Sequence, residues 1–297
     1  MSGMRRLRSG MTLVEALIAL AILGIVLSLA YGAITSSLRV QGQQEAITTN
    51  QAKLRRIIEV ISQDLRSAVF GSITDNPYES DSQQVSFMML TGGAGYPVIE
   101  KSGFSGSNSF EVIIPDGDAL VGQQVVLVNS NGLGVVMPVT GASSPSGGTV
   151  EFFSSCRNTI PFGTSVLMFQ VETTGIRFDE DTNNMMLRTA NVDEQPFAFD
   201  LADLRFDYVY TYTSPEAGVT GTPANTVIVE TEPRRGSHGL PIRTFAQGGY
   251  VYTLTRLQVV VESTADVNGR ESEFAYSGQV DLSRAAHFKV EEIVPCS

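Results

Sequence analysis

The sequence predicts an α+β protein: one long N-terminal helix, apolar in its first half and amphipathic in its second, packed on an antiparallel β-rich head. Three observations predict it. Residues 16 to 34 form an uncharged apolar run behind a basic leader. No proline interrupts residues 35 to 70, where apolar side chains recur at helical spacing. From Gly71 onward, short β-type runs alternate with turns rich in glycine, serine and asparagine.

The leader comes first. Met1 to Gly10 carries Arg5, Arg6 and Arg8 and no acidic residue. Such a segment stays on the cytoplasmic side of a membrane. The run from Ala16 to Ile34 then approaches the ~20 residues needed to cross a bilayer core. Glu15 stands at its start, and an ionisable group at membrane depth is costly enough to point to function. A secretory signal cut after Ala30, at Ser28-Leu29-Ala30, explains the arginines and the apolar run. It leaves Glu15 unexplained, and it discards the segment that the following helix continues.

That helix is read from Ile47, Leu54, Ile58, Ile61, Leu65 and Val69, which line one face. Arg55, Arg56, Glu59, Gln63, Asp64 and Arg66 fill the others. One rod of roughly 90 Å results, at about 1.5 Å per residue. Gly24 and Gly32 are its weak points, because helix propensity is lowest there.

Gly10-Met11-Thr12-Leu13-Val14-Glu15, behind a basic leader and before the apolar run, resembles the class III signal of type IV prepilins and pseudopilins. The resemblance implies cleavage between Gly10 and Met11 by a membrane prepilin peptidase, then N-methylation of Met11. It also implies that Glu15 pairs with the amine of an adjoining subunit's first residue during assembly. Organisation follows: 1–10 a removed leader, 11–34 the transmembrane and assembly half of the helix, 35–70 its amphipathic half, and 71–297 the head. The partners implied are the peptidase, the inner-membrane assembly platform, the major pilin and other minor pilins. The head would lie in the periplasm on a single-pass inner-membrane anchor, then on the pilus at the cell surface.

Within the head, the clearest strand signal is Leu204, Phe206, Tyr208, Tyr210 and Tyr212, which alternate strictly and so share one sheet face. They read as packing beneath the amphipathic helix rather than as a sugar or DNA platform. Other strands are expected at 84–90, 109–114, 124–128, 135–139, 149–153, 165–171, 176–179, 185–188, 251–262 and 273–282. Asn268-Gly269 is a hairpin signal between the last two. Val171-Glu172-Thr173, Met186-Leu187-Arg188, Ala202-Asp203-Leu204, Phe206-Asp207-Tyr208 and Gln279-Val280-Asp281-Leu282-Ser283-Arg284 are similar to large minor pilins of the PilW type. Gln63-Asp64-Leu65-Arg66-Ser67-Ala68 fits the same likeness.

Other chemistry is sparse. Asp179, Asp181 and Asn183 match the first ligands of a calcium loop, but Asn184 and Ala190 stand where its glycine and bidentate glutamate are required. A hairpin turn is the expectation, and no cofactor is expected beyond that calcium reading. Arg234, Arg235, His238 and Arg243 form one basic cluster, read as a solvated loop. A net charge of −11 weighs against a nucleic-acid binder. No nucleophile elbow, phosphate loop or dinucleotide fingerprint occurs, so no enzyme activity is expected. The only two cysteines, Cys156 and Cys296, follow the apolar run. In an oxidising compartment an intramolecular disulfide is their simplest fate.

Three functions fit these readings. The first is a minor pilin that initiates or tips a type IV pilus serving motility, adhesion or DNA uptake. The second is a type II secretion pseudopilin of the J type. The third is a secreted binding protein for DNA or a glycan.

Overall fold

The computed structural model describes residues 13–66, 68–91, 95–99, 105–114, 120–160, 165–189, 192–236, 239–266, 271–282 and 292–296. They divide into two compact units, Met1–Gln51 with Ala265–Ser272, and Ala52–Thr264 with Glu273–Ser297. The fold is α+β, one long N-terminal helix followed by a large antiparallel β domain.

Helix α1 runs Leu13–Arg66 without a break, 54 residues. At about 1.5 Å per residue it is roughly 80 Å long. Gly24 and Gly32 do not interrupt it. A glycine costs a helix only about 1 kcal/mol, too little to stop a helix already propagating on both sides. Thr35 Oγ1 also donates to the carbonyls of Tyr31 and Gly32, 3.0 Å each, beside the second glycine.

The helix ends earlier than its periodicity suggests. Ala68, Val69 and Phe70 extend the apolar pattern, yet they open strand β1 (Ala68–Thr74). β1 pairs antiparallel with β2 (Gln84–Leu90), Ala68 opposite Met89 and Ile73 opposite Phe87. A β-branched and aromatic run ahead of Gly71 suits a strand that can complete its hydrogen bonds against a neighbour.

The other strands of the first sheet are β3 (Tyr96–Ile99), β4 (Ser109–Ile113), β5 (Gln124–Asn129), β6 (Leu133–Ala142), β7 (Thr149–Ser154), β8 (Val166–Asp179), β9 (Asn184–Thr189) and β10 (Val192–Ala198). β8 is its spine. One edge of β8 carries β3 at Leu167–Met168 and β2 at Val171–Arg177. The other carries β5 at Val166–Val171 and β9 at Thr174–Asp179. The segments read as two strands, 165–171 and 176–179, are therefore one. Gly175 within it is not a turn: a Cβ there would lie 2.5 Å from the Tyr78 ring and 2.8 Å from Pro77, which cover that point of the sheet.

The pairings β8–β5, β5–β6, β6–β7, β7–β4, β4–β3 and β3–β8 return to their starting strand. Strands β3 to β7 and the first half of β8 thus wind a small closed barrel, which removes the sheet edges these strands would otherwise expose. Inward-facing Phe110, Val112, Leu127, Val135, Met137, Val150, Phe152 and Met168 fill it.

The second sheet comprises β11 (Asp203–Pro215), β12 (Val227–Glu230), β13 (Thr244–Gln247), β14 (Tyr250–Asp266) and β15 (Glu271–Asp281). Its order is β12–β11–β14–β13, with β15 also on β14. Asn268-Gly269 lies outside the described residues. Leu54, Ile57, Ile58, Ile61 and Leu65 of α1 are each at most 5% exposed. They share one core with Phe87, Ile176 and Phe178 of the first sheet and with Leu204, Phe206, Tyr208, Tyr210 and Leu257 of the second. The alternating stripe is packing beneath the helix.

Helix and β15 meet at Gly278, where a Cβ would fall 2.3 Å from Ile58 Cγ2. Gly278→Val is expected to destabilise the protein by about 1–3 kcal/mol through overpacking. Ser277→Val, on an exposed neighbour, should stay within about 0.5 kcal/mol. Urea midpoints compare the two, and equal midpoints would contradict the helix–sheet contact.

One further strand, β16 (Glu292–Pro295), pairs in parallel with β6, Glu292 opposite Leu133 and Pro295 opposite Val136. Just beyond it Cys296 is bonded to Cys156, their Cα atoms 5.6 Å apart. The bridge spans 140 residues. Loop closure of that size is worth at most about 5 kcal/mol in the chain-entropy model. Reduction is expected to lower the denaturant midpoint and to release amide protection at β16. Two free thiols in protein from an oxidising compartment would contradict the bond.

Candidate assembly segment at the N-terminus

The described chain begins in the segment that carries the strongest sequence signal. Leu13 to Leu38 is helical, and Glu15 lies in its first turn. There the unsatisfied amides of the helix start favour a carboxylate. Between Glu15 and Arg39 no residue is charged. The apolar side chains in that interval are exposed, Leu17 58%, Ile25 62% and Leu29 69% among them. A span so apolar and so bare is long enough to cross a membrane, and among the described residues it is the one helix that is. Gly10 and Met11 lie outside the described residues.

The other candidates resolve differently. Tyr208 and Tyr210 are fully buried. The Tyr208 hydroxyl donates to the Asp81 carbonyl at 2.9 Å, and the Arg234 amide donates to the Tyr210 hydroxyl at 2.8 Å. Burial pushes the Tyr210 phenol up to about 12 and that of Tyr208 well above its usual range. Leu204, Phe206, Tyr208 and Tyr210 are closed to a sugar or a base, and Tyr212 is partly buried.

Asp179 to Asn184 is the turn of the β8–β9 hairpin. Thr182 Oγ1 donates to Asp179 Oδ2 at 2.6 Å, and Asn183 takes a left-handed backbone with φ 55°. Arg177 lies 3.6 Å from Asp179. Among the described residues no group of three His, Cys, Asp or Glu side chains could hold a metal ion.

The basic cluster is not simply a solvated loop. Arg234 pairs with Glu230 and lies 4.8 Å over the Phe245 ring. Arg235 pairs with Asp75 and, at 3.3 Å, with Glu79, and donates to the Ser80 carbonyl at 3.1 Å. Arg235 ties the loop before β13 to the connection between β1 and β2, and Arg234 ties it to β12 and β13. Their charge is spent inside the head, which weakens them as phosphate contacts. His238 lies outside the described residues.

Sequence reading missed a comparable knot. Arg177 of β8 and Glu194 of β10 form an ion pair, and Tyr78 donates to Glu194 at 2.5 Å. The Arg177 hydrogen bond holds the Glu194 carboxyl below its usual range. Nothing local signals it, because Tyr78 and Glu194 are 116 residues apart.

Residues 5–31 match the family model for the prokaryotic N-terminal methylation motif. This is the class III signal of type IV pilins. It supports a member of the type IV pilin and pseudopilin family, and such a signal implies processing by prepilin peptidase and assembly with other pilins. The apolar helix fits a membrane anchor, with the rest of the protein as a globular head. No curated protein matches the chain. One solved chain is similar over 68% of this chain and 88% of its own, from the complete structure of manganese lipoxygenase of Gaeumannomyces graminis and partial structure of zonadhesin of Komagataella pastoris. Its identity is 14% and its TM-score 0.14, so the likeness carries no argument.

Proposed function

We propose that this chain is a minor pilin, a structural subunit that helps initiate a type IV pilus or sits in its tip complex. The observation that carries the reading is the pilin signal at residues 5–31, continued directly by a helix that is bare through its apolar half. An apolar helix without a covering needs lipid before assembly and neighbouring helices after it. Glu15 then does its work between subunits: a carboxylate moved out of water needs a cationic partner, and the new amine at Met11 of a neighbour supplies one. The basic leader keeps the start of the chain cytoplasmic and puts the head in the periplasm. The subunit performs no catalysis and holds no resident cofactor.

The elaborated head favours a minor subunit over one repeated along a shaft. It buries one core under α1 and a second in the inserted barrel. A type II secretion pseudopilin of the J type is the second reading, because the same signal serves both machines. A deletion strain scored for piliation, transformation and secretion tests the assignment. Loss of pili with secretion intact is expected, and the reverse pattern would overturn it.

A further inference from the structure

Beside α1 runs a groove of about 440 Å³, lined by Lys53, Arg56 and Ile57 of the helix and by Phe197, Ala198, Phe199 and Asp200. Its two walls differ in chemistry. Lys53 and Arg56, three residues apart and so on one helix face, supply positive charge. Among the described residues neither forms an ion pair with a carboxylate. Nearby arginines are committed, Arg55 to Glu59 and Arg177 to Glu194. Phe197 and Phe199 supply the apolar wall, 40% and 53% exposed. Lys53 Nζ donates to the Asp200 carbonyl at 3.2 Å, which ties the residues just after β10 to the helix. Asp200 takes a left-handed backbone there, φ 55°.

Basic residues are the minority in this sequence. The chain carries 31 acidic and 20 basic residues. Two unpaired cations facing two exposed aromatic rings across a groove match a ligand with both a carboxylate and an apolar side chain. We propose that this groove docks an acidic, apolar segment of a partner protein. The carboxylates meet Lys53 and Arg56, and an aliphatic or aromatic side chain lies between Phe197 and Phe199. A concave site suits a peptide better than a flat bilayer. The proposal concerns the head and stands independently of the pilus assignment.

The probe is the peptide Leu-Glu-Phe-Glu-Leu-amide with fluorescein on its N-terminal amine, titrated against the full-length chain in neutral detergent and read by anisotropy. Binding is expected to weaken roughly tenfold in Lys53→Ser/Arg56→Ser, as two partly exposed ion pairs allow. It should weaken similarly in Phe197→Ser/Phe199→Ser, and for the peptide with glutamine in place of both glutamates. An unchanged circular dichroism melt shows that each variant is folded. Arg55→Ser, outside the groove, serves as the matched loss of charge and should bind like the parent chain. Three results would overturn the proposal: no saturable binding, equal binding by acidic and neutral peptides, or binding lost as much in Arg55→Ser as in the groove variants. Displacement of the bound peptide from the full-length chain by phosphatidylglycerol in mixed micelles, but not by phosphatidylcholine, would also overturn it, by making the groove a lipid contact.

Discussion

Gly10→Val is expected to leave the chain at precursor length. The peptidase must bring its catalytic groups to the bond between Gly10 and Met11, and glycine leaves the backbone open to that approach. A branched side chain on the residue just before the cut occludes it. The chain should still insert, because neither the three leader arginines nor the apolar run is altered. Full-length protein should therefore accumulate in the membrane fraction. The shift on a gel is small, the mass of ten residues, so intact-mass measurement is the appropriate readout. Normal maturation of Gly10→Val would mean that another enzyme, or another bond, processes the chain.

The second large effect concerns Glu15. Glu15→Ala makes the helix start more apolar, so membrane residence should be unchanged or stronger. Cleavage should proceed, because Gly10 and Met11 are intact. What disappears is the attraction between a carboxylate and an amine across a subunit boundary, which is stronger in a bundle of apolar helices than in water. The mature variant is expected in the membrane at wild-type level and in sheared filaments at roughly a tenth of it, the loss that about 1.4 kcal/mol of docking energy produces. Wild-type incorporation would remove the role assigned to Glu15.

What could be read from the sequence depended on how local the cause was. The N-terminal signal is a contiguous string, and its meaning does not depend on the fold. The Leu204–Tyr212 stripe was legible for a similar reason, since strict alternation allows only one face for five large side chains. β2 fell on Gln84–Leu90 as its apolar pattern indicated. Closure of the barrel was not legible. It depends on β3 meeting β8 at Tyr96 and Met168, and on β5 meeting the other edge of the same strand. No local pattern encodes either register. Short edge strands escaped for a different reason. β10 is mostly exposed and β12 half so, with little apolar alternation to betray them. β16 is four residues long, and its only backbone partner among the described residues is the start of β6. The basic loop was misjudged because Asp75, which Arg235 needs, lies 160 residues away.

The central claim is that this chain is matured as a pilin. The measurement that reaches it most directly is the N-terminal residue of the mature protein, taken by mass spectrometry of its first peptide from the native membrane. The account predicts N-methylated Met11, with residues 1–10 gone. Tyr31 at the start, the product of a secretory cut after Ala30, would contradict it, because the apolar helix and Glu15 would then be absent from the working protein.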